Sequence, residues 1–395
     1  DGVLHIPTAF CAYTGEALDQ KTPLLRAMQA LSKEGLRLLH LCGVTSARAV
    51  VPTVGLEQEY FLVDRGMYEK RVDLKICGRT LMGALPPKGQ ELDDHYCGRI
   101  RLRVAAFMKE LDEELWRYGI LSKTRHNEAA PAQHEFACMY DTANIACDHN
   151  QLAMELARSI AKKHGLACLL HEKPFAGVNG SGKHNNFSLS TDEGQNLLSP
   201  GGDPAENDVF LLMLAAFVRA VDKYADLVRL SAACPGNDHR LGGFEAPPAI
   251  VSIYLGEALH DLLEHIAEGG HGAPPDALRT GVNALPIVMR DDADRNRTSP
   301  LAFTGGKFEL RMLGSSQSAA LPNTVLCTIL ADSMDAFANR LAMASDRKRE
   351  IAEIVRDTLH DHRRILYDGN NYAPEWIREA ERRGLPNVAS SLDAV

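Results

Sequence analysis

Glu57, Glu59, Glu128, Glu135, His184 and Glu309 are the residues in this chain best suited to holding divalent cations, and their local sequence gives the reason. In "GLEQEYF" two glutamates stand two positions apart. A strand sends alternate side chains to one face, so Glu57 and Glu59 point the same way. Val54, Tyr60, Phe61 and Leu62 around them mark an interior strand. Two carboxylates on an interior face repel each other unless a cation sits between them. "KTRHNEAAPAQHEF" adds Glu128 and Glu135, with His126, Asn127 and His134 in the same polar run. Pro131 breaks any helix between the two acids. Taken alone, this run reads equally well as a solvated loop. "KFELRML" puts Glu309 and Arg311 on one strand face, a spacing that surface charge pairs also show.

"GVNGSGKHNN", residues 177–186, has the Gly-x4-Gly-Lys spacing of a phosphate-binding loop, but His184 stands where Ser or Thr should reach the metal. Such a loop opens a helix. Here "NNFSLS" follows with strand-like alternation, which argues against a phosphate cradle. The glycines then serve a tight, close-approach loop, and His184 begins a strand as a possible metal ligand. Two further loops carry Arg240 with Glu245 and Arg295 with Arg297, and guanidinium forks suit carboxylate and phosphate oxygens. The inventory is that of two divalent cations and an anionic, phosphate-bearing substrate. The residues alone suggest metal-assisted phosphoryl transfer to an acid and do not name the acid.

These groups need a scaffold, and 395 residues with 45% hydrophobic and 24% charged content can build a large core. A net charge of −9 argues against a general nucleic-acid binder. The longest apolar run, "VFLLMLAAFV", is too short to cross a membrane and reads as a buried helix. Nine cysteines without a CxxC pair fit a reducing compartment better than a disulfide framework, each reading as a small buried apolar residue. Apolar spacing predicts helices over 24–40, 101–119, 148–164 with Asp148 as N-cap, 206–232 and 321–345. Strands are predicted in "VVPTVGLEQEYFLVD", "NNFSLS" and "KFELRML". Strands broken by long helices without regular alternation give an α+β fold with a mainly antiparallel sheet. After Ala344 the chain becomes highly charged and helical, which reads as an added segment over 345–395.

The order and wording of six motifs, "GLEQEYFL", "CGRTLMGALPPKGQELDDHY", "KTRHNEAAPAQHE", "HEKPFAGVNGSGKHNNFSL", "GNDHRLGGFEAPPAI" and "DRNRTSPLAFTGGKFELRM", resemble glutamine synthetase, specifically its type III bacterial form. The resemblance covers nearly the whole chain. It implies a catalytic domain with a curved, mainly antiparallel sheet flanked by long helices over 21–344. Residues 1–20 would be the tail of a mostly absent N-terminal β domain, and 345–395 the start of a C-terminal extension. It implies ATP-dependent joining of glutamate and ammonia through γ-glutamyl phosphate, with two Mg²⁺ or Mn²⁺ ions. By the same resemblance Glu59, Glu128 and Glu135 would hold one ion, and Glu57, His184 and Glu309 the other.

Arg297 would stabilise the transferring phosphoryl group, and Glu245 would sit on a flap over the acyl phosphate. Asn179, Gly180, Arg240 and Arg311 would bind substrate, and Asn186 and Ser188 the nucleotide. A cytoplasmic homo-oligomer of stacked hexameric rings is implied, with no nucleic-acid or membrane partner. The ammonium-binding acid would come from a neighbour's N-terminal domain, so residues 1–395 alone are expected to be inactive or very weak. The chain departs from the type III pattern at Leu56 and Phe244, and a basic residue that the type I form uses on ATP has no counterpart near Ala302. A ligase for another amine would share the metal and ATP residues. A non-catalytic protein of the same fold would have no reason to keep all these ligands.

Overall fold

The computed structural model describes residues 3–86, 88–244, 246–267, 277–278, 288–289 and 298–395. Eleven strands are defined among them: β1 (Val50–Asp64), β2 (Ser122–Asn127), β3 (Gln133–Cys138), β4 (Asp141–Thr142), β5 (Leu166–Leu169), β6 (Lys183–Thr191), β7 (Ile253–Tyr254), β8 (Ala277–Leu278), β9 (Val288–Met289), β10 (Leu301–Phe303) and β11 (Phe308–Leu310). The main sheet runs β2-β3-β1-β6-β11-β10-β7, with β4 and β5 also paired to β1. Every pairing is antiparallel apart from β7 with β10, so the α+β expectation with a mainly antiparallel sheet holds. β1 alternates buried and half-buried residues along its first half, as a strand with one face on a core must.

One face of the sheet carries the helices Lys21–Leu41, Asp208–Lys223 and Ala320–Met343, which share one apolar cluster with Val54, Phe187 and Phe308. Phe217 stacks on Phe308 at 4.1 Å between ring centroids. A second cluster joins the helices Leu102–Arg117 and Ala143–Lys163 to Tyr60, Leu62 and Phe136. The charged segment after Ala344 folds as helices Arg347–His362 and Pro374–Arg382. Their Ile351, Ile354, Leu359 and Trp376 enter the first cluster. Among the described residues no helix is long and apolar enough to cross a membrane.

Three sequence expectations shift. The helix placed at 148–164 begins at Ala143, and Asp148 lies inside it, ion-paired with Lys21. Ala143, Ala146 and Cys147 are buried, and their packing extends the helix past a residue that resembles a cap. The helix placed at 206–232 breaks at Tyr224, whose φ of −125° and ψ of 35° leave the helical region. The cysteines are all free, and Cys11, Cys77 and Cys97 are exposed rather than buried, because they lie in loops or at a helix end.

Candidate functional site

Sheet register explains how residues distant in sequence converge. Glu59 lies opposite Glu135 across β1 and β3, Glu57 opposite His184 across β1 and β6, and Asn186 opposite Glu309 across β6 and β11. A staggered patch of polar side chains thus spreads over four adjacent strands on one face. The β2–β3 hairpin adds Glu128, whose N–H donates to the Gln133 carbonyl at 2.9 Å. Ala132, at φ 66°, makes the turn that Pro131 opens.

His184 is the centre of the first group. Its Nδ1 lies 3.1 Å from Glu57 Oε2 and 3.3 Å from Glu309 Oε1, and its Nε2 lies 3.6 Å from Glu59 Oε1. Burial alone would lower its pKa, but Glu309, Glu57 and Glu59 together raise it well above the ordinary value. Burial would raise Glu57, but His184 outweighs it and holds the carboxyl below its usual range. Glu309 is likewise held low against its burial by His184 and Arg311, whose Nη2 donates to Glu309 Oε2 at 3.1 Å.

The second group is His126, Glu128 and Glu135. His126 Nε2 lies 3.1 Å from Glu135 and 3.5 Å from Glu128. Its pKa is raised to about 9, mainly by the Glu135 bond. Burial and the charges of Glu57 and Glu59 raise Glu135. Within each group the candidate ligand atoms lie within 4.8 Å of one another. Glu59, expected with Glu128 and Glu135, stands between the groups. Its Oε2 accepts from the Gly182 N–H at 2.7 Å and its Oε1 faces His184.

The donor set fits divalent cations. Buried carboxylate oxygens with one or two imidazoles suit Mg²⁺ or Mn²⁺ better than a thiolate-seeking metal. His184 Nε2 is buried without a hydrogen-bond partner, a cost that a bound cation would remove.

Beside the first group lies a cavity of about 580 Å³, lined by Glu57, Asn186, Ser188, Lys307, Leu56 and Tyr140 among others. Asn186 Nδ2 donates to Glu57 Oε1 at 2.8 Å, and Lys307 donates to Asn186 Oδ1. Ser188 Oγ donates to the Gly306 carbonyl at 2.8 Å. Lys307 was missed in sequence; it stands in the bend just before β11, two residues ahead of Glu309. It supplies positive charge where Ala302 supplies none.

The glycine loop leads into β6 and not into a helix. Lys183 is fully buried beneath it, with Nζ donating to the Gln317 carbonyl and Met154 Sδ, so no phosphate-cradling lysine exists here. The Asn179 N–H donates to Gln90 Oε1 at 2.9 Å, and the Gly180 carbonyl accepts from Gln133 Nε2 at 2.9 Å. Arg240 is buried against this loop and donates to the Arg311 carbonyl at 3.0 Å. Gln90 and Gln133 carry no sequence signal, since both act through contacts distant in the chain. Glu245, Arg295 and Arg297 lie outside the described residues.

Known proteins resemble this chain over its whole length. Residues 41–248 match the family model of the glutamine synthetase catalytic domain, residues 350–395 that of the glutamine synthetase C-terminal domain, and residues 1–27 that of the type III N terminus. The type-3 glutamine synthetase of Dictyostelium discoideum is 50% identical over 100% of this chain, which spans 54% of that protein. A glutamine synthetase of Butyrivibrio fibrisolvens is 49% identical over the whole chain, which covers 57% of it. The chain thus spans little more than half the length of these curated relatives. Among solved structures, the glutamine synthetase of Plasmodium falciparum shares the fold at a TM-score of 0.56 and 15% identity, over 83% of this chain and 58% of that one. The GmaS/ADP complex does so at 0.53 and 16%, over 96% and 68%. The chain belongs to the glutamine synthetase family, with its sequence kinship on the type III branch.

Proposed function

We propose that this chain supplies the catalytic core for ATP-dependent ligation of glutamate and ammonia. The observation that carries this is the patch of acids and His184 beside a cavity large enough for a nucleotide. In this reading two Mg²⁺ or Mn²⁺ ions are held, one by Glu57, His184 and Glu309 and one by Glu128 and Glu135 with Glu59 or His126. When bound, they offset the charge of phosphate oxygens. Asn186, Ser188 and Lys307 hold the nucleotide. The loop Asn179–Gly182, Arg240 and Arg311 seat glutamate so that its side-chain carboxylate meets the γ-phosphate. Arg297 stabilises the transferring group, and Glu245 excludes water from the acyl phosphate that forms. Ammonia then displaces phosphate.

The full assembly is read as a cytoplasmic homo-oligomer of stacked hexameric rings, with the ammonium-binding acid on a neighbouring subunit. The test reads a single cycle. With protein in excess over ATP and with [¹⁸O]-labelled glutamate side-chain carboxylate, one labelled oxygen should appear in the released phosphate. With ammonia present, phosphate without label would contradict the acyl-phosphate reading.

A further inference from the structure

His134 follows the alternation of β3 and leaves by the face opposite Glu135, into a second cavity of about 460 Å³. It is 3% exposed. Asn127 Nδ2 donates to the His95 and Gly98 carbonyls at 3.1 Å each, which turns Asn127 Oδ1 toward His134 Nδ1 at 3.0 Å. That oxygen can only accept, so His134 carries its proton on Nδ1. Nε2 is left as a bare lone pair with no partner among the described residues, in a cavity that basic side chains line. Four basic side chains line it. Arg103 is spent on Asp64, and Lys88 on Asp94. Arg99 and Arg101 have no partner among the described residues. The helix Leu102–Arg117 begins at this wall with no side-chain cap at Arg101, so its first N–H groups are open to an anion.

We propose that this cavity binds a phosphate-bearing ligand that also carries an O–H donor. Arg99, Arg101 and the helix N-terminus take the charged oxygens, and the O–H donates to His134 Nε2. Free hydrogen phosphate and a hydroxylated phosphomonoester share this chemistry; sulfate offers the charge without the donor.

Binding is measured by calorimetry on the chain in EDTA, so that no cation draws phosphate to the acidic site. The probes are inorganic phosphate, glycerol 3-phosphate and sulfate. One equivalent of phosphate or glycerol 3-phosphate should bind, the tighter of the two identifying the source, with sulfate at least tenfold weaker. Arg99→Gln/Arg101→Gln, on exposed residues, should weaken binding at least tenfold while Mn²⁺ binding is unchanged. His134→Gln, which keeps an acceptor, should retain binding that His134→Leu loses. Absence of millimolar binding by both phosphate probes, binding indifferent to the double arginine change, or sulfate binding as tight as theirs would overturn the proposal.

Discussion

Replacing Gly180 by Ala tests what the glycine loop is for. A Cβ built at Gly180 falls well inside contact of the Glu172 carbonyl oxygen and 3.0 Å from Arg240 Cγ. The obstacle is backbone, so the loop itself must retreat by about 1 Å to restore van der Waals separation. The same carbonyl accepts the Ser181 N–H at 2.8 Å, and that bond opens with the retreat. Overpacking costs about 1–3 kcal/mol and the bond about 1 kcal/mol more. With 395 residues the unfolding entropy is about 0.8 kcal/mol/K, so the melting temperature should fall by roughly 2–5 °C. A displacement of about 1 Å at a substrate-positioning loop is worth up to ~100-fold in rate. In the assembled enzyme, therefore, kcat/KM for glutamate should fall about 10- to 100-fold while the Mg·ATP dissociation constant changes less than threefold. Scanning calorimetry and steady-state kinetics with each substrate varied separate the two effects. Loss of nucleotide affinity with an unchanged glutamate response would restore the phosphate-cradle reading and refute the argument. An unchanged melting temperature would refute the steric one.

Other consequences are equally concrete. Lys307→Met should weaken nucleotide binding about tenfold, through loss of one charge-assisted contact, and leave Mn²⁺ binding intact; equilibrium dialysis reads both. Lys183→Met should leave nucleotide affinity unchanged in the same measurement, because Nζ faces Gln317 and Met154. His260 and Asp368, 2.5 Å apart, tie the helix Glu257–Ala267 to the C-terminal segment. The Asp368 bond, outweighing burial, raises His260 above its usual 6.5, and His260 outweighs the burial of Asp368 to hold it below its usual 3.8. The histidine's contribution is complete below pH 6.5 and fades as pH climbs through its raised pKa. The aspartate's is complete above pH 3.8 and fades on acidification. The destabilisation by His260→Gln, read in urea at several pH values, should be greatest between these limits and shrink as pH climbs through the raised histidine pKa.

Much of the site was legible because strands translate spacing into direction. The i, i+2 pair Glu57/Glu59 needed only a strand to share a face and has one, whereas β11 ends at Leu310 and Arg311 reaches Glu309 from just beyond it. Register was not legible: that Glu57 meets His184 across β1 and β6 depends on how the two strands slide, which no local pattern encodes. Gln90, 89 residues from Asn179 and bonded to it, is a wholly tertiary choice. Asp148 misled because a polar residue before an apolar run resembles a cap, and only the buried Ala143 and Ala146 reveal an earlier start. The C-terminal charges concealed an apolar stripe at Ile351, Ile354, Val355 and Leu359 that locks the segment onto the core.

Cation stoichiometry tests the central claim most directly. Metal-free chain titrated with Mn²⁺, by calorimetry and by the loss of the free-ion paramagnetic signal, should take up two ions. His184→Ala should take up one tightly while keeping the wild-type circular dichroism spectrum. Uptake of fewer than two ions by the unaltered chain, or two undiminished tight sites after loss of the imidazole, would contradict the account.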